Sequence, residues 1–323
     1  MRRRLAGTGP LVGAHMSAAG GLVRAVERAA AAGCRTLQVF TKSSNQWDGK
    51  PVVAGEAAAF RKAAADAGLA PLVAHAAYLI NLASPDPVVR TRSVGALVDE
   101  IERCDANGIP YLVLHPGSHG GDGEGVGLDR IARGLDEAAA KCPSSGTTVL
   151  LETAAGQGAC LGHDFAHLAA IFERADSRPR LALCFDTCHV HAAGYDVVTR
   201  DGWRKTLDEL DASCGLGLVK VIHANDSKKE RGCRVDRHER IGHGAIGLKG
   251  FIKMQRVVDA EGGTLWEWSI PLGSRTTPAP HEVTDRAHPA GQQERRHERP
   301  DAPHWRWLSR QSGSFSAGRA RRW

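Results

Sequence analysis

An aspartate and a histidine stand three residues apart at the end of an apolar run near the middle of the chain. The run LALCFDTCH, residues 181–189, contains Asp186 and His189, with Cys184 and Cys188 beside them. Carboxylate and imidazole groups without thiolate suit zinc or manganese in a hydrolytic or isomerising site. The stretch therefore predicts a metal site, and we expect Cys184 to face the wall of the strand and Cys188 to take no part in binding.

Ligand-type side chains close four further apolar runs in the same way. They stand at or just after the end of each run: His75, His115, Glu152 and His223. One such histidine is more often a hydrogen-bonded core residue, but the repetition over successive runs argues against coincidence. The segment 234–244 adds Asp236 and His238, which project to the same side if the segment is extended. Zinc prefers about four ligands, so this set predicts several ions, as is typical of phosphoester hydrolysis.

The elements that must position these residues alternate along the first 260 residues. Amphipathic helical stretches, such as 86–106 and 126–141, separate short runs that are almost continuously apolar and therefore typical of buried parallel strands. The runs lie at 11–17, 36–40, 71–75, 111–117, 148–153, 181–189 and 218–226. This order predicts an α/β fold, a (β/α)8 TIM barrel whose last strand lies near 264–272, with a doubly wound open sheet as the alternative. In a barrel the carboxyl ends of the strands converge on one face.

Composition restricts the setting of the protein. The chain of 323 residues is 42% hydrophobic, which fits one main domain with a sizeable core. Its eight cysteines include no CxxC pair, which favours reduced thiols and a cytoplasmic location. We find no signal peptide and no membrane span in the sequence. The net charge is +6, but ten arginines against five acidic residues in 273–323 account for nearly all of the excess.

Several long motifs identify a family. The sequence contains GAHMSAAGGL at 13–22, HAAYLINL at 75–82, HPGSH at 115–119, LETAAGQG at 151–158, FDTCHVHAAGYD at 185–196, HANDSK at 223–228 and RVDRHERIGHGAIG at 234–247. In order and spacing, from about residue 12 to residue 251, these motifs resemble endonuclease IV. That family comprises the zinc-dependent apurinic/apyrimidinic endonucleases of DNA base-excision repair.

The resemblance implies a TIM barrel with three zinc ions and assigns ligands to them. His75 and His115 would hold the first zinc, with Glu152 bridging to the second. Asp186 and His223 would belong to the second zinc, and the third would take His189, Asp236 and His238. Glu152, His115 and Asp186 would be the catalytic ligands. The implied reaction hydrolyses the phosphodiester 5′ to an abasic site and leaves a 3′-hydroxyl and a 5′-deoxyribose phosphate.

The resemblance also implies residues that handle DNA. Tyr78 matches an aromatic residue that enters the helix near the damaged nucleotide, a sensible way to open an unstacked site. Lys42, Asn45 and Trp47 lie in the segment FTKSSNQW, in which some relatives carry arginine at the place of Asn45. Gln157 and Asn225 are expected to orient the phosphate or the metal ligands. The expected partner is double-stranded DNA with abasic sites, bound by a monomer with no membrane partner.

The sequence departs from the family near the eighth strand. The family reads like IPLVLET there and supplies a glutamate to the second zinc, whereas this chain has IPLGSRT with Arg275 at that place. A cation repels zinc, so we expect a weakened second site unless Glu267 replaces the ligand. Residues 273–323 contain no lysine and no convincing period. We therefore predict a barrel domain at 1–272, an aberrant or poorly ordered eighth strand, and a disordered or frame-shifted tail at 273–323.

Two other functions fit parts of the pattern. A metal-dependent sugar isomerase of the TIM-barrel type shares the rim of glutamate, aspartate and histidine. It would not need Asp236, His238 or Tyr78. A catalytically impaired product that keeps the DNA groove is the third possibility, because the eighth strand departs from the family.

Overall fold

Eight parallel strands close into a barrel in the computed structural model, which describes residues 11–260 and 267–271. The first seven barrel strands are β1 Leu11–His15, β2 Thr36–Val39, β3 Leu72–His75, β4 Tyr111–Leu114, β5 Thr148–Glu152, β6 Leu181–Asp186 and β7 Val219–His223. A short antiparallel pair follows, formed by β8 Asp226–Ser227 and β9 His238–Glu239. The eighth barrel strand is β10 Glu267–Pro271.

Helices follow the strands along the outside of the barrel. They are α1 Leu22–Ala31, α2 Ala54–Ala67, α3 Pro87–Asn107, α4 Glu124–Lys141, α5 Phe165–Arg174, α6 Thr187–Ala193, α7 Arg200–Ser213 and α8 Gly247–Ala260. Short 3₁₀ turns at Arg178–Arg180 and Leu216–Leu218 precede β6 and β7. Within the described residues, no helix combines the length and apolar character needed to cross a membrane.

The barrel closes through the eighth strand. β10 pairs in parallel with β1, where Pro271 lies opposite His15, and with β7, where Ser269 lies opposite His223. The prediction of a last strand within 264–272 is confirmed, and the closed barrel rules out the open doubly wound sheet. The backbone of the eighth strand is thus in place. The predicted tail at 273–323 lies outside the described residues.

The strands alternate between an inner and an outer layer of side chains. Five inner residues stand two positions before the ligand-type residues of their strands: Val73, Val113, Leu150, Cys184 and Val221. Because strand side chains alternate, the ligands face the same barrel interior just above this layer. The intervening residues, such as Leu112 and Leu151, pack outward in the main core. Each fully buried leucine in that core stabilises the fold by roughly 1.5–3 kcal/mol.

Cys184 belongs to this inner layer, and the sequence interpretation of it was wrong. Its side chain is fully buried and packs with Leu150 and Val221 in the barrel interior. Cys184 stands two residues before Asp186, so the alternation of the strand places both on the same face. The thiol therefore lies directly under the ligand layer.

Helix α3 begins and ends with strong local signals. The side chain of Asp86 accepts a hydrogen bond of 2.7 Å from the Val88 N–H, and Pro87 occupies the first helical position. Gly108 ends the helix at φ 67°, in the left-handed region that favours glycine. These caps hold a helix of 21 residues, whose buried acidic and basic side chains reach the loops above β2 and β3.

A buried carboxylate organises the chain between β9 and α8. The Asp226 side chain is fully buried and accepts backbone hydrogen bonds of 2.9, 3.0 and 2.9 Å from Gly242, Gly244 and Ile246. Hydrogen bonds to a charged acceptor are about twice as strong as neutral ones. Asp226 therefore fixes the loop behind β9, the strand that begins with His238.

Candidate metal centre

The strand ends bring the predicted ligands to one face of the barrel. Ligand-type residues end four strands, and one follows β4 directly: His75, Glu152, Asp186, His223 and His115. His189 lies in the first turn of α6, and Asp236 and His238 lie at the start of the β9 segment. These side chains fall into groups whose possible ligand atoms lie within 4.8 Å of one another: three such groups contain Glu152 or Asp236, and a further one joins Asp186 with Cys188 and His238. The convergence predicted from the sequence is therefore present in the fold.

The first group contains His75, His115 and Glu152. One oxygen of Glu152, Oε2, lies 3.3 Å from His75 Nε2 and 2.7 Å from His115 Nε2. The other ring nitrogen of His75 lies 2.8 Å from the carbonyl oxygen of Ala76, to which it donates. Nε2 of His75 therefore presents its lone pair to the group, as metal-binding histidines do.

The second group shares Glu152 with the first. Oε1 of Glu152 lies 2.5 Å from His223 Nδ1, and Asp186 Oδ2 lies 3.8 Å from the same nitrogen. His223 donates its Nε2–H to Gln38 Oε1 over 2.8 Å, and its Nδ1 faces the carboxylates. The thiol of Cys184 also lies within reach of Glu152 and His223. A carboxylate, an imidazole and a thiol thus lie together, with the Asp186 carboxylate beside the imidazole.

The third group contains His189, Asp236 and His238. His189 Nε2 lies 3.3 Å from Asp236 Oδ2, and His238 Nε2 lies 3.2 Å from Asp236 Oδ1. His189 donates its Nδ1–H to the carbonyl oxygen of Thr153 over 2.7 Å. The sequence expectation that Asp236 and His238 act together agrees with this arrangement.

Cys188 lies beside the third group, and that it takes no part in metal binding stays a prediction. Its thiol is within ligand distance of Asp186 and His238. Burial, together with the negative charge of Asp186, raises the pKa of the Cys188 thiol. A protonated thiol is a poor metal ligand, because binding requires the thiolate.

Charge is strongly organised in the centre. Burial raises the pKa of the Glu152 carboxyl, but the charges and hydrogen bonds of His223 and His115 outweigh burial and hold it well below its ordinary value. The hydrogen bonds of His189 and His238 likewise outweigh burial and lower the pKa of Asp236. Both carboxylates are therefore ionised and can receive a cation.

The donor set fits divalent metal ions. Ring nitrogens of His75 and His223 lie 3.3 and 2.5 Å from the ionised carboxylate of Glu152. Metal binding to such a set releases the protons that imidazole and carboxylate groups would otherwise share. Imidazole and carboxylate ligands with committed outer hydrogen bonds are those that zinc and related divalent ions use in proteins.

Two residues behind the ligands escaped the sequence-based prediction. Gln38 bonds His223 through Oε1, and its Nε2 lies 3.0 Å from His15 Nδ1. Burial, reinforced by the neighbouring His75 and His223, lowers the pKa of His15 to about 3, so its neutral ring accepts the bond from Gln38. The one signal in the sequence was a glutamine within the apolar run TLQVF.

Asn225 contacts a ligand side chain, as expected, whereas Gln157 bonds to loop backbone. Asn225 Nδ2 donates to Asp186 Oδ2 over 2.6 Å. Gln157 Oε1 accepts a bond of 3.3 Å from the backbone N–H of Asp236. Asn225 thus orients a ligand side chain, and Gln157 holds the backbone of another ligand.

The predicted DNA-handling residues divide into exposed and buried ones. Tyr78 is 56% exposed, and its ring centroid lies 5.4 Å from that of His75. Asn45 is exposed, whereas Trp47 is half-buried beneath the guanidinium of Arg92, 4.6 Å from the ring centroid. Tyr78 and Asn45 are therefore available at the rim of the metal centre.

The position of Lys42 differs from that expected of a residue that contacts DNA. Its side chain is only 3% exposed, and Nζ lies 2.6 Å from Asp99 Oδ2. Nζ also donates to the carbonyl oxygen of Trp47 over 2.8 Å. The ammonium faces the protein and is not presented to a DNA backbone, because α3 supplies its partner.

The eighth strand bears on the expected fourth ligand of the second group. Arg275, which stands at the family's glutamate position, lies outside the described residues. Glu267 lies opposite Val221 in the strand register, two residues before the level of His223. That is about 7 Å below the ligand layer at 3.3 Å per residue. The replacement of the missing ligand by Glu267, which required a slipped strand, stays a prediction.

Comparison with known proteins agrees with the fold. The model of the xylose isomerase-like TIM barrel family matches residues 26–275. A probable endonuclease 4 from Citrifermentans bemidjiense is 48% identical over 241 residues, which is 75% of this chain and 85% of that protein. A probable endonuclease 4 from Chloroflexus aurantiacus is 47% identical over 242 residues, again 75% of this chain and 85% of the relative.

Solved structures give the same result. The crystal structure of endonuclease IV from Thermus thermophilus aligns with a TM-score of 0.72 and 34% identity, over 82% of this chain and 93% of that one. A D-tagatose 3-epimerase-like protein shares the barrel with a TM-score of 0.62 and 20% identity, over 80% of this chain and 90% of that one. The barrel, the three ligand groups and the extent of identity lead to one conclusion: the chain belongs to the endonuclease IV family.

Proposed function

We propose that this protein is a zinc-dependent apurinic/apyrimidinic endonuclease of DNA repair. It hydrolyses the phosphodiester 5′ to an abasic site in double-stranded DNA and leaves a 3′-hydroxyl and a 5′-deoxyribose phosphate. The observation that carries the proposal is the meeting of three ligand groups at one barrel face, in a chain 48% identical to a probable endonuclease 4. We further propose that the enzyme acts as a cytoplasmic monomer.

We assign the ligand residues to three zinc ions. His75 and His115 would hold the first, Asp186 and His223 the second, and His189, Asp236 and His238 the third. Glu152 would serve both of the first two, since its two oxygens face different histidines, Oε2 at 2.7 Å from His115 and Oε1 at 2.5 Å from His223. When bound, zinc ions lower the pKa of a water molecule and stabilise the attacking and leaving oxygens of the phosphate.

The surrounding residues place the substrate and the ligands. Tyr78, exposed beside His75 and His115, offers a flat apolar face to the gap in the base stack at an abasic site. Asn225 holds the Asp186 carboxylate by a bond of 2.6 Å, and Thr153 orients His189 through its carbonyl oxygen at 2.7 Å. These contacts keep the ligand atoms in position when no substrate is bound.

The test is nicking of a duplex that carries one tetrahydrofuran abasic analogue. We expect the zinc-loaded protein to cut the damaged strand 5′ to the analogue, to leave the matched undamaged duplex intact, and to stop after chelation. A 3′-hydroxyl that a DNA polymerase extends would identify the product end. If the zinc-loaded protein leaves the damaged strand whole, the proposal is wrong.

The second zinc site is the weak point of the proposed centre. Arg275 stands where the family supplies a glutamate, so we propose lower occupancy there than at the other two sites. Losing one carboxylate ligand costs on the order of 10 to 100-fold or more in affinity, since changes behind the ligands already cost that much. Arg275→Glu should raise both zinc content by elemental analysis and turnover. Three zinc ions per wild-type chain by elemental analysis, with no gain in turnover for Arg275→Glu, would contradict this.

A sugar isomerase remains the alternative from a different class. The epimerase-like neighbour at 20% identity shares the fold alone. The third ligand group and the exposed Tyr78 favour the endonuclease, because a small sugar substrate requires neither. Incubation with ketohexoses, monitored by chromatography, separates the two functions.

A further inference from the structure

Two loops at the rim of the barrel carry the exposed residues that we assign to DNA. We call residues 40–53, between β2 and α2, the β2 loop, and residues 76–86, between β3 and α3, the β3 loop. Asn45 is exposed in the β2 loop, and Tyr78 is exposed in the β3 loop. The loops touch directly, since the Tyr78 N–H donates to the carbonyl oxygen of Ser44 over 3.0 Å.

A buried carboxylate of α3 bonds to both loops. Glu100 is 1% exposed, and its Oε2 accepts a hydrogen bond of 2.7 Å from the Thr41 hydroxyl in the β2 loop. Its Oε1 accepts a bond of 3.1 Å from the backbone N–H of Ala77, the residue before Tyr78. One rigid side chain thus sets the distance between the two loops.

Lys42 completes this junction. Its Nζ lies 3.6 Å from Glu100 Oε1 and 2.6 Å from Asp99 Oδ2. The same ammonium donates to the carbonyl oxygen of Trp47 across the turn that exposes Asn45. Lys42 therefore ties both ends of that turn to α3.

Arg103 holds the far end of the β2 loop. Its Nε lies 2.9 Å from Asp99 Oδ2, and its Nη2 donates to the carbonyl oxygen of Lys50 over 2.6 Å. A Cβ at Gly49 would collide with this guanidinium, which explains why glycine stands there. The β2 loop is thus attached to α3 at its start, middle and end.

Stability alone does not account for such a cluster. Buried ion pairs usually contribute little net stability, because desolvation offsets the attraction. Apolar residues of similar size often stabilise a fold to the same degree. What charged hydrogen bonds add is a defined geometry. The geometry defined here is the placement of Asn45 and Tyr78 relative to the metal centre.

We propose that Glu100 and Lys42 are positioning residues for recognition of the abasic site. They align the β2 and β3 loops so that Asn45 and Tyr78 meet the damaged duplex together, while the metal ligands perform the hydrolysis. The inference rests on the proposed endonuclease function. It assigns to Lys42 a role in holding the loop and no direct contact with phosphate.

The test compares Glu100→Gln with Glu102→Gln. Glu102 is exposed on the same helix, so both variants change the net charge equally. For Glu100→Gln we expect KM for the abasic duplex to rise on the order of tenfold, with kcat within about twofold and zinc content unchanged. The affinity ratio between abasic and intact duplex should fall to a similar degree. Glu102→Gln should match the wild type in all of these.

A second variant, with a smaller structural change, distinguishes loss of loop position from misfolding of Glu100→Gln. Thr41→Val removes one hydrogen bond to Glu100 without changing charge or shape, and should raise KM about three- to fivefold. In a mutant cycle, Glu100→Gln should add little to the KM of the double variant Asn45→Ala/Tyr78→Ala, because Glu100 acts through these two residues. Effects that add fully would show that Glu100 acts through neither residue and would overturn the proposal.

The outcomes separate this inference from the proposed function. A wild-type protein that does not nick abasic DNA defeats the endonuclease assignment before any variant is compared. The positioning role alone is wrong if the wild-type protein nicks abasic DNA but Glu100→Gln and Thr41→Val have the same KM as Glu102→Gln. A loss confined to kcat would also overturn it, since it would place Glu100 in the chemistry.

Discussion

Three histidines of the metal centre are each oriented through the ring nitrogen that faces away from their group. His75 donates to Ala76, His189 to Thr153 and His223 to Gln38, over 2.7–2.8 Å. Such bonds fix which nitrogen carries the lone pair, and they make the ligand more basic. The centre is therefore preorganised by residues that do not themselves bind metal.

Glu152 should be the most sensitive single residue. We expect Glu152→Gln to lower nicking more than about a hundredfold, because even changes behind metal ligands cost 10–100-fold. Affinity for the abasic duplex should fall much less, since contacts to phosphate are spread over many loops. The measurements are single-turnover nicking and fluorescence anisotropy. Glu137→Gln, which removes an exposed carboxylate on α4, is the control. Nicking by Glu152→Gln close to that of the control would refute the site.

Gln38 should control zinc retention through His223. Gln38→Leu keeps the size of the side chain but leaves the Nε2–H of His223 without its acceptor. We expect zinc affinity at the second site to fall about 10 to 100-fold, measured by competition with a chelating dye. The exposed Gln46→Leu serves as the control for the same chemical change. Equal zinc retention in both variants would mean that Gln38 does not orient the ligand.

Among the elements, the barrel strands tolerate little change where they approach closely. Gly13 in β1 pairs with Thr36 in β2, and a Cβ added at Gly13 would meet the carbonyl oxygen and side chain of Thr36. Gly95 in α3 is exposed, and a Cβ there would meet no atom within 4 Å. A larger residue is therefore disfavoured by close packing at Gly13, whereas there is room for one at Gly95.

Alanine substitutions at these glycines should have opposite effects. Gly13→Ala should lower the free energy of unfolding by about 1–3 kcal/mol, because the strands must separate. Gly95→Ala should raise it by about 0.5–1 kcal/mol, since alanine favours the helix and narrows the unfolded ensemble. Urea titration followed by circular dichroism measures both values. A Gly13→Ala variant as stable as the wild type would mean that β1 and β2 are less closely packed than described.

Across the barrel as a whole, the metal centre joins strands from around its circumference. β3, β5, β6 and β7 each end in a ligand, so bound metal connects elements that are distant in sequence. A ligand that binds only the folded state stabilises it by roughly 4 kcal/mol per site at a thousand times its Kd. Metal content should therefore set the thermal stability of the barrel.

Chelation should lower the melting temperature by roughly 10 °C or more, at about 2–4 °C per kcal/mol for a protein of this size. Zinc should restore the original value, whereas magnesium should not, because imidazole ligands favour zinc. Differential scanning calorimetry measures the change. A melting temperature that is unaffected by chelation would show that the groups do not bind metal in the folded protein.

The barrel and the residues of its centre could be predicted from the order of residues along the chain. Apolar runs that alternate with helices indicate parallel strands, and His75, Glu152, Asp186 and His223 each end such a run. In a closed parallel barrel all strand ends meet at one face, so position along the strand is enough to bring ligands together. The same alternation identifies Cys184, two residues before Asp186, as a residue of the barrel interior, although the sequence interpretation placed it in the wall.

The contacts behind and beside the ligands became visible only in the folded chain. Lys42 was assigned to DNA contact from the sequence, yet its buried ammonium lies 2.6 Å from Asp99 and 3.6 Å from the buried Glu100. Gln38 meets His223 from a strand 185 residues away in the chain. The direction in which a long polar side chain points depends on which element packs over it. Local periodicity fixes a residue's position on its own strand or helix and carries no information about that neighbour.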